Sequence, residues 1–458
     1  MMINKKIIDK YNVPIPRYTS YPPANHFKNE FKESDYIQLI EDSNTRRPEH
    51  IAIYIHIPFC KKICFYCGCN ACTIKSDQLI VDYFEALNSE LELVTKYLDT
   101  NRKVSQVHFG GGTPNAVNVK FLEKINELIF NKFEFIDHPE IAIECNPAYL
   151  DYEYMYRLLA AGFNRFSLGI QDFNQDVLKA VNRSLSEIPV DQLVKYLKKS
   201  STATVNLDFI YGLPGQSKVS FYETIEKAIQ IKPDRLVTFS YAHVPWLKKH
   251  QEILAKKGLP SSEEKMQMFL TAREILIKGG YIPVGLDHYV LPGDELSVAL
   301  KNNQLHRNFQ GYCTRRTTGQ VYAFGVSAIS QLENAYIQNV KEVETYIQKI
   351  KNKKLPIEKG LVLNDEQIIV RELITKLMCN QQLNLKKIAD DFDIDLYKLK
   401  SIVRFSDEKL QEFINDGLLT FNDDEIKVTE TGSLFIRNIA TLFDPLYTKQ
   451  KNKYSKTV

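Results

Sequence analysis

The sequence predicts an α/β protein built on a partial (three-quarter) TIM-type (β/α)6 barrel, with an N-terminal arm and a mostly helical C-terminal domain. Between residue 51 and about residue 290, short apolar segments alternate with amphipathic segments, as in a parallel sheet with crossover helices. Six such units are fewer than the eight of a closed barrel. We therefore expect an open barrel whose functional rim is formed by the carboxyl ends of its strands.

The elements follow in order along the chain. The apolar segments, rich in β-branched residues, predict strands over 51–57, 104–109, 140–144, 164–170, 203–210 and 235–241. The amphipathic segments predict helices over 77–98, 118–131, 151–161, 188–199, 218–230 and 262–278. We divide the chain into an arm covering the active site (1–50), the barrel (51–340) and a winged-helix-like lid (341–458).

The two flanking regions differ in character. Residues 1–50 contain five prolines and no long periodic segment, so they form either a strap packed on the barrel or an arm over its active site. Beyond the barrel, helical stretches are expected over 343–353, 365–379 and 395–415, followed by a hairpin over 417–429 that turns on residues 422–424. This order is typical of a winged helix, but acids balance the bases there, which does not favour DNA binding.

Composition limits the function classes. The 458 residues exceed one ordinary core, and 44% apolar and 25% charged residues are usual for a globular protein. A net charge of +3 argues against an extended nucleic-acid footprint. The absence of an apolar stretch near 18 residues and of a leader-like N-terminus predicts a cytoplasmic protein without membrane contact.

Five of the eight cysteines lie between Cys60 and Cys72, on the loop after the first predicted strand. A disulfide knot is not expected in a reducing compartment, and zinc usually requires a second pair of ligands. The spacing of Cys60, Cys64 and Cys67 favours three thiolates on a [4Fe–4S] cluster, with one iron left open to a small molecule. Zinc stays an alternative at this level.

Unusual residues also follow the other strands. Gly110-Gly111-Gly112-Thr113-Pro114 lets the backbone approach a ligand, and Glu144 suits a ribose hydroxyl pair. Gln171, Arg183 and Asp208 occupy comparable places at later strands. Each could be an ordinary structural polar group, but their common position on one rim indicates a site.

The motifs themselves resemble a known family. Cys60-x3-Cys64-x2-Cys67 with Tyr66 resembles the radical S-adenosylmethionine (SAM) superfamily. Closer matches, in order along the chain, are the segments 16–22 (PRYTSYP), 54–60 (YIHIPFC), 67–70 (CGCN), 110–114 (GGGTP), 171–174 (QDFN), 208–214 (DFIYGLP), 241–243 (YAH), 305–312 (LHRNFQGY) and 325–329 (GVSAI). Together they resemble the oxygen-independent coproporphyrinogen III oxidases from about residue 11 to the C-terminus.

The resemblance implies roles for individual residues. Cys60, Cys64 and Cys67 would bind the [4Fe–4S] cluster, and Cys69 would be an accessory cysteine that is not a ligand. It implies two SAM molecules per active site. The first SAM would be contacted by Tyr54, Gly111, Glu144 and Ile329. The second would be contacted by Tyr66, Gly112, Thr113, Gln171, Arg183, Asp208 and Ala242.

The resemblance also implies the reaction, which belongs to anaerobic haem biosynthesis. Two propionates of coproporphyrinogen III would be oxidatively decarboxylated to vinyl groups, giving protoporphyrinogen IX, while two SAM are cleaved to methionine and 5′-deoxyadenosine. Because the substrate carries four propionates, arginines should line its pocket. The candidates are Arg17, Arg307, Arg315 and Arg316, although 313–323 departs from the expected family pattern.

Three alternatives stay open. A haem chaperone of the same superfamily would bind and deliver haem, but the 16–22 arm and the 306–312 sequence differ from those of such chaperones. A radical SAM haem-degrading methyltransferase would turn over haem, and a zinc protein would hold zinc without iron. For the oxidase we expect a monomer that receives electrons from a carrier such as a flavodoxin or ferredoxin.

Overall fold

Twelve strands form one large sheet in the computed structural model, which describes residues 4–314, 319–448 and 454–457. In chain order they are β1 Ile51–Ile57, β2 Val104–Gly111, β3 Phe135–Cys145, β4 Arg165–Gln171, β5 Thr204–Tyr211, β6 Arg235–Ser240, β7 Ile282–Val284, β8 His288–Val290, β9 Gln320–Phe324, β10 Ile329–Gln331, β11 Ala335–Asn339 and β12 Ile357–Val362. Their order across the sheet is β12-β11-β10-β9-β1-β2-β3-β4-β5-β6-β8-β7. The α/β fold is therefore confirmed.

The centre of this sheet is parallel and its two ends are antiparallel. Strands β9, β1, β2, β3, β4, β5 and β6 run parallel in successive pairs. Antiparallel β8 and β7 continue one end, and antiparallel β10, β11 and β12 continue the other. The six predicted barrel strands are all present, while β9 adds a seventh parallel strand beside β1 that the sequence pattern missed.

Helices cover the parallel strands and complete the N- and C-terminal regions. Their bounds are Lys5–Tyr11, Glu33–Ser43, Asp77–Val94, Val119–Lys132, Tyr152–Ala160, Gln175–Ala180, Val190–Leu197, Lys218–Ile231, Glu252–Lys256, Ser262–Lys278, Glu295–Lys301, Val343–Lys351, Asp365–Asn380, Leu385–Asp391, Leu396–Ile402, Asp407–Asn415, Glu430–Ser433 and Ile436–Ala440. Many begin where a serine, asparagine or aspartate side chain accepts a hydrogen bond from the first turn, as Ser76 and Ser261 do.

The sequence alone misplaced some elements outside the barrel. The helix expected over 395–415 is two helices, because Arg404 between them adopts a left-handed backbone conformation (φ 50°). The N-terminal region contains two helices that its sequence pattern did not predict. The predicted hairpin is present as Leu419–Asn422 and Glu425–Val428, and Gln382–Asn384 adds a third strand to it.

Burial explains why β1, at the centre of the sheet, is almost wholly apolar. Six of the seven residues of β1 are buried, and the exception is Tyr54. Helices cover one face of a parallel sheet, and here the opposite face is the barrel interior. No helix in the described part of the chain is long and apolar enough to cross a membrane.

Candidate active site

The cysteine loop begins at the carboxyl end of β1. Its two ends are tied together, because Cys72 N donates to Pro58 O (2.9 Å) and Ile74 N donates to Cys60 O (3.1 Å). At the same edge, Gly112 N donates to Ile57 O (2.7 Å) and links the loop after β2 to β1. The loop is thus anchored at the rim where the sequence predicts the chemistry.

The three predicted cluster ligands are free thiols with different surroundings. Cys60 is buried, its Sγ lies 3.3 Å from Thr113 Oγ1, and burial raises its pKa to about 11. A hydrogen bond from the Cys69 side chain lowers the pKa of Cys67 to about 6, although burial opposes it. Arg183 Nη1 lies 3.8 Å from Cys64 Sγ. Each thiol therefore has a polar or charged neighbour that can stabilise a thiolate.

The spacing of these thiols bears on the kind of metal they can hold. Within the ranges that the structure describes, no three His, Cys, Asp or Glu side chains converge on a position for a single metal ion. One zinc ion would need its thiolates all within about 2.3 Å, whereas the thiolates of a cubane cluster bind different irons. Three cysteine thiols on one loop are a donor set that a [4Fe–4S] cluster uses, with one iron left without a protein ligand.

Two segments hold the cysteine loop from outside. From the segment after β4, Asn182 Nδ2 donates to Ile63 O (2.8 Å). From the segment after β6, Lys248 Nζ donates to Cys69 O (2.7 Å), His250 Nε2 lies 2.8 Å from Cys67 O, and Gln251 Nε2 donates to Tyr66 O (3.0 Å). This support was not predictable from the sequence, because nothing in a polar loop sequence indicates which distant backbone it will contact.

The predicted contacts of the first SAM lie around β1, β2 and β3. Tyr54 OH lies 3.1 Å from His56 Nδ1, and its ring stacks on His108 with centroids 5.8 Å apart. His108 Nε2 lies 3.0 Å from Glu144 Oε1, and Gly111 N donates to Glu144 Oε2 (3.3 Å). The sequence alone did not single out His56 or His108. His56 is two residues after Tyr54, and His108 is two residues before Gly110, so each histidine lies on the same face of its strand as that residue.

The glycine triplet is required by three close contacts. A Cβ on Gly110 would lie 2.7 Å from Glu144 Oε1, and a Cβ on Gly112 would lie 2.5 Å from Pro58 O. Gly111 has φ +117°, and a Cβ there would lie 2.8 Å from the His56 ring. The triplet therefore brings the β2 rim, Glu144 and the cysteine loop together.

The predicted contacts of the second SAM lie on the cysteine loop, the β2 rim and strands β4 to β6. Arg183 Nη2 donates to Gly169 O, and a Cβ on Gly169 would meet both this guanidinium and the Gln171 amide. Asp208 accepts hydrogen bonds from Ser167 Oγ (2.6 Å) and Asn206 Nδ2 (2.8 Å), and burial raises its pKa to about 6. Ala242 directly follows Tyr241, whose amide donates to Tyr211 O at the end of β5 (2.9 Å).

Ile329, the last predicted contact of the first SAM, begins antiparallel β10. An antiparallel strand begins at the edge where its parallel neighbour ends, so Ile329 lies at the same rim. The connection from β9 is fixed by the buried Glu90, whose carboxylate accepts from Gly325 N (2.7 Å), Asn339 Nδ2 (2.7 Å) and Tyr346 OH (2.6 Å). Glu90 was not a candidate, because a glutamate inside a helix pattern normally faces solvent.

A cationic cavity lies beyond β5 and β6. Arg17, Arg307 and Arg437 line it together with Tyr211 and Ser240, the last residues of these two strands. Burial, and then the charges of Arg17 and Arg307, lower the pKa of Arg437 to about 9. Among the described residues, nothing accepts a hydrogen bond from the buried Nε and Nη1 of Arg307. The cavity therefore has positive charge and free donors that an anionic ligand would satisfy.

One acid lines this cavity, and a lysine interacts electrostatically with two of its arginines. The acid is Asp287; burial opposes ionisation, but the hydrogen bond with His288 and the charges of His288, Arg307 and Arg17 hold its pKa below the ordinary value. Burial, together with Arg17 and Arg437, lowers the pKa of Lys265 to about 8. Candidates Arg17 and Arg307 are thus brought together, while Arg315 and Arg316 lie outside the described residues.

Comparison with known proteins identifies the family of the chain. A family model described as the radical SAM superfamily matches residues 54–228, and one described as the HemN C-terminal domain matches residues 363–435. The first match spans the cysteine loop and strands β1 to β5. Membership of that superfamily implies a [4Fe–4S] cluster and SAM as cofactors.

Full-length relatives share one name. The chain is 38% identical to the oxygen-independent coproporphyrinogen III oxidase of Synechocystis over 98% of this chain and 96% of the relative. It is 36% identical to the Escherichia coli protein of the same name over 97% and 95%. It also matches the solved structure of the E. coli coproporphyrinogen III oxidase, described as a radical SAM enzyme, with a TM-score of 0.88, 33% identity and coverage of 98% and 100%. On this identity and coverage, the chain belongs to the oxygen-independent coproporphyrinogen III oxidase family of radical SAM enzymes.

Proposed function

We propose that this enzyme converts coproporphyrinogen III to protoporphyrinogen IX by oxidative decarboxylation of two propionates to vinyl groups. The observation that carries the proposal is the cavity lined by Arg17, Arg307 and Arg437, which opens at the same strand ends as the cysteine loop. A substrate with four carboxylates would supply the negative charge that these guanidiniums need. The relatives' names, which specify this substrate, support the same proposal.

The arginines come from three separate parts of the chain. Arg17 belongs to the N-terminal arm, Arg307 to the hairpin strand Leu305–Asn308, and Arg437 to the C-terminal helix Ile436–Ala440. Arg437 also donates from Nε to Pro16 O (3.1 Å) and from Nη2 to Ile15 O, so it positions the backbone next to Arg17. This arrangement supports a role of the arm and of residues 341–458 as a cover over the substrate.

The proposed cofactor contacts divide into two groups around the cysteine loop. We assign the cluster to Cys60, Cys64 and Cys67, with Cys69 as an accessory group. The side containing Tyr54, Gly111, Glu144 and Ile329 would hold one SAM, and the side containing Tyr66, Gly112, Thr113, Gln171, Arg183, Asp208 and Ala242 would hold a second. Two SAM molecules would match the two propionates that are oxidised.

When bound, the reduced cluster and SAM supply a carbon-centred oxidant that removes hydrogen from an unactivated C–H bond. The chain's own contribution is positional. The arginines hold the propionates by charge-assisted hydrogen bonds, which fixes one side chain near the SAM rim. The arm and the C-terminal segment exclude water from the cavity. We further propose that the enzyme works in the cytoplasm.

An anaerobic assay tests this proposal. Reconstituted protein is incubated with coproporphyrinogen III, SAM and dithionite, and the porphyrin products are separated by chromatography. We expect protoporphyrinogen IX with about two methionines per product. An intact cluster without decarboxylation but with tight haem binding would contradict the proposal and indicate a chaperone, and consumption of haem would indicate the methyltransferase.

A further inference from the structure

The segment 244–257, which follows β6 and supports the cysteine loop, has an unusual outer surface. It exposes Trp246 (43%), the chain's single tryptophan, together with Leu247 (69%) and Ile253 (36%). Large apolar side chains exposed next to one another are often part of a binding surface. Tryptophan in particular is enriched among residues that dominate protein–protein binding energy.

Lysines flank these apolar residues in the sequence. Lys248, Lys249, Lys256 and Lys257 belong to the same segment, which contains one acid, Glu252. The cysteine loop contributes the exposed Lys61 and Lys62, and residues 58–72 contain no acid. Because the whole chain has a net charge of only +3, this is a local concentration of positive charge. We call Lys248, Lys249, Lys256 and Lys257, with Trp246, Leu247 and Ile253, the lysine–tryptophan surface.

Direct contacts join this surface to the predicted cluster ligands. Lys248 Nζ and His250 Nε2 bind the backbone carbonyls of Cys69 and Cys67, at 2.7 and 2.8 Å. Lys257 Nζ donates to Ala180 O (2.6 Å) and lies 5.6 Å from the centroid of the Phe65 ring. A protein bound here would therefore be separated from the cysteine loop by little more than one layer of side chains.

We infer that the lysine–tryptophan surface is the docking site of a small, acidic one-electron carrier protein that reduces the cluster. The inference rests on the proposed function only in requiring an external electron for the cluster. Positive charge would steer an acidic carrier to this face, and Trp246 and Leu247 would anchor it. The support of the cysteine loop by the same segment would keep the path for the electron short.

The test measures the rate of cluster reduction, not product formation. Holoenzyme is mixed anaerobically with reduced flavodoxin, an acidic carrier, and the bleaching of cluster absorbance is followed at low salt. The exposed Lys249 and Lys256 do not contact the cysteine loop, so the test variant is Lys249→Glu/Lys256→Glu. We expect its second-order rate constant to fall about tenfold or more, and the difference to disappear near 1 M salt, where charges are screened within about 3 Å.

Two controls make the result specific. Dithionite should reduce native and variant clusters at the same rate, which shows that the cluster itself is intact. Lys386→Glu/Lys387→Glu changes the charge equally on the exposed face of the C-terminal helix Leu385–Asp391 and should not slow the flavodoxin reaction. Trp246→Ala should weaken carrier binding even at high salt, because an apolar anchor is not screened.

The inference would be overturned if the Lys249→Glu/Lys256→Glu variant accepted electrons from flavodoxin as fast as the native protein at low salt. It would also be overturned if neither flavodoxin nor an acidic ferredoxin reduced the native cluster at a salt-dependent rate. Since porphyrin is absent from this experiment, failure of the proposed decarboxylation would not change its outcome.

Discussion

At the scale of single residues, the cysteines of the loop differ in what surrounds each thiol. Cys60, Cys64 and Cys67 each have a polar or charged neighbour, namely Thr113, Arg183 and Cys69. Cys72 instead belongs to a short parallel pairing with Phe59–Cys60, and burial raises the pKa of its thiol. The loop thus offers both a test substitution and a matched control within thirteen residues.

Cys64→Ala should abolish cluster binding, because two remaining thiolates cannot hold a cubane that already leaves one iron open. Iron and acid-labile sulfide are measured after anaerobic reconstitution, together with the cluster's absorbance. Cys72→Ala, the control, should keep native iron content. Full iron content in Cys64→Ala would refute the ligand assignment.

Arg307→Gln should raise the KM for coproporphyrinogen III about 10- to 100-fold, because a hydrogen bond to a charged group contributes about 1.5–3 kcal/mol. Its Nε and Nη1 are the free donors that a propionate would engage. SAM affinity and cluster content should be unchanged. Arg157→Gln, which removes an outer ion pair with Glu123, is the control and should leave KM unchanged. An unaltered KM in Arg307→Gln would remove this arginine from the substrate site.

Residue-level prediction from the sequence succeeded where a motif was local and failed where a contact was distant. The cysteine spacing and the glycine triplet could be interpreted directly. The joining of Arg437 to Arg17 and Arg307 could not, because it depends on how the C-terminal helix meets the N-terminal arm. The same limitation applies to Glu90, whose partners lie more than 200 positions away along the chain.

At the scale of elements, the connection between β9 and β10 depends on one buried carboxylate. Glu90 fixes Gly325 and Asn339, and Tyr83, on the same helix, donates to His56 O (2.6 Å) while accepting from Val326 N (3.1 Å). These bonds tie helix Asp77–Val94 to β1 and to the segment that ends at Ile329. The proposed first SAM site therefore rests on a network beneath the rim.

Glu90→Gln should loosen this connection, since all three partners of the carboxylate donate hydrogen bonds and an amide offers only one acceptor. The expected loss of stability is about 1–3 kcal/mol. Hydrogen exchange of residues 325–329 should become faster, and SAM should bind more weakly. Glu92→Gln, on the exposed side of the same helix, should change neither quantity. Native exchange rates in Glu90→Gln would show that the network is dispensable.

The same carboxylate gives a pH dependence with a defined sign. Burial raises the pKa of Glu90 from 4.5 to about 7, so the folded protein binds this proton more tightly than the unfolded chain does. Protonated Glu90 therefore makes its full contribution to the free energy of unfolding below pH 4.5, and this contribution is lost as the pH rises through about 7. The free energy of unfolding of native protein, measured against Glu90→Gln, should fall across this range, and a constant difference would contradict the assignment.

At this scale, a helix or strand could be predicted when its own residues carry the pattern for it, and not when distant pairing creates it. The six barrel strands and the helices predicted between them were found because each has a local apolar pattern. Strands β7 and β8 have three residues each, and their pairing, not their sequence, makes them strands. Strand β9 overlaps the divergent 313–323 stretch, and its sequence alone did not mark it as part of the parallel sheet.

At the scale of the whole molecule, the two ends of the chain close over the barrel together. Asn438 Nδ2 donates to Tyr11 O (2.9 Å), and Ile15 N donates to Ser455 O (3.2 Å). Both ends also contribute an arginine to the cationic cavity. The arm is therefore held by the C-terminal region, and the predicted domain limits at residues 50 and 340 stay a proposal. Strand β12, beyond residue 340, pairs with β11 in the main sheet.

A buried carboxylate, Asp444, joins the C-terminal region to the arm next to the cationic cavity. Tyr18 OH donates to Asp444 Oδ2 (2.9 Å), and Leu446 N donates to Asp444 Oδ1 (2.9 Å). Arg17, the residue before Tyr18, is exposed and lines the cavity. Loss of the Asp444 bond should therefore release the arm and, with it, one of the three guanidiniums.

Asp444→Ala should accelerate hydrogen exchange in residues 11–21 while the barrel strands keep native protection, because local opening requires only the contacts of the arm. The KM for coproporphyrinogen III should rise, since ordering the arm would then have to accompany substrate binding, while cluster content stays native. Asp176→Asn, which changes a solvent-exposed ion pair, serves as the control. If Asp444→Ala exchanged faster in the arm but bound substrate as the native protein does, the arm would be a structural strap and Arg17 would not contact the substrate.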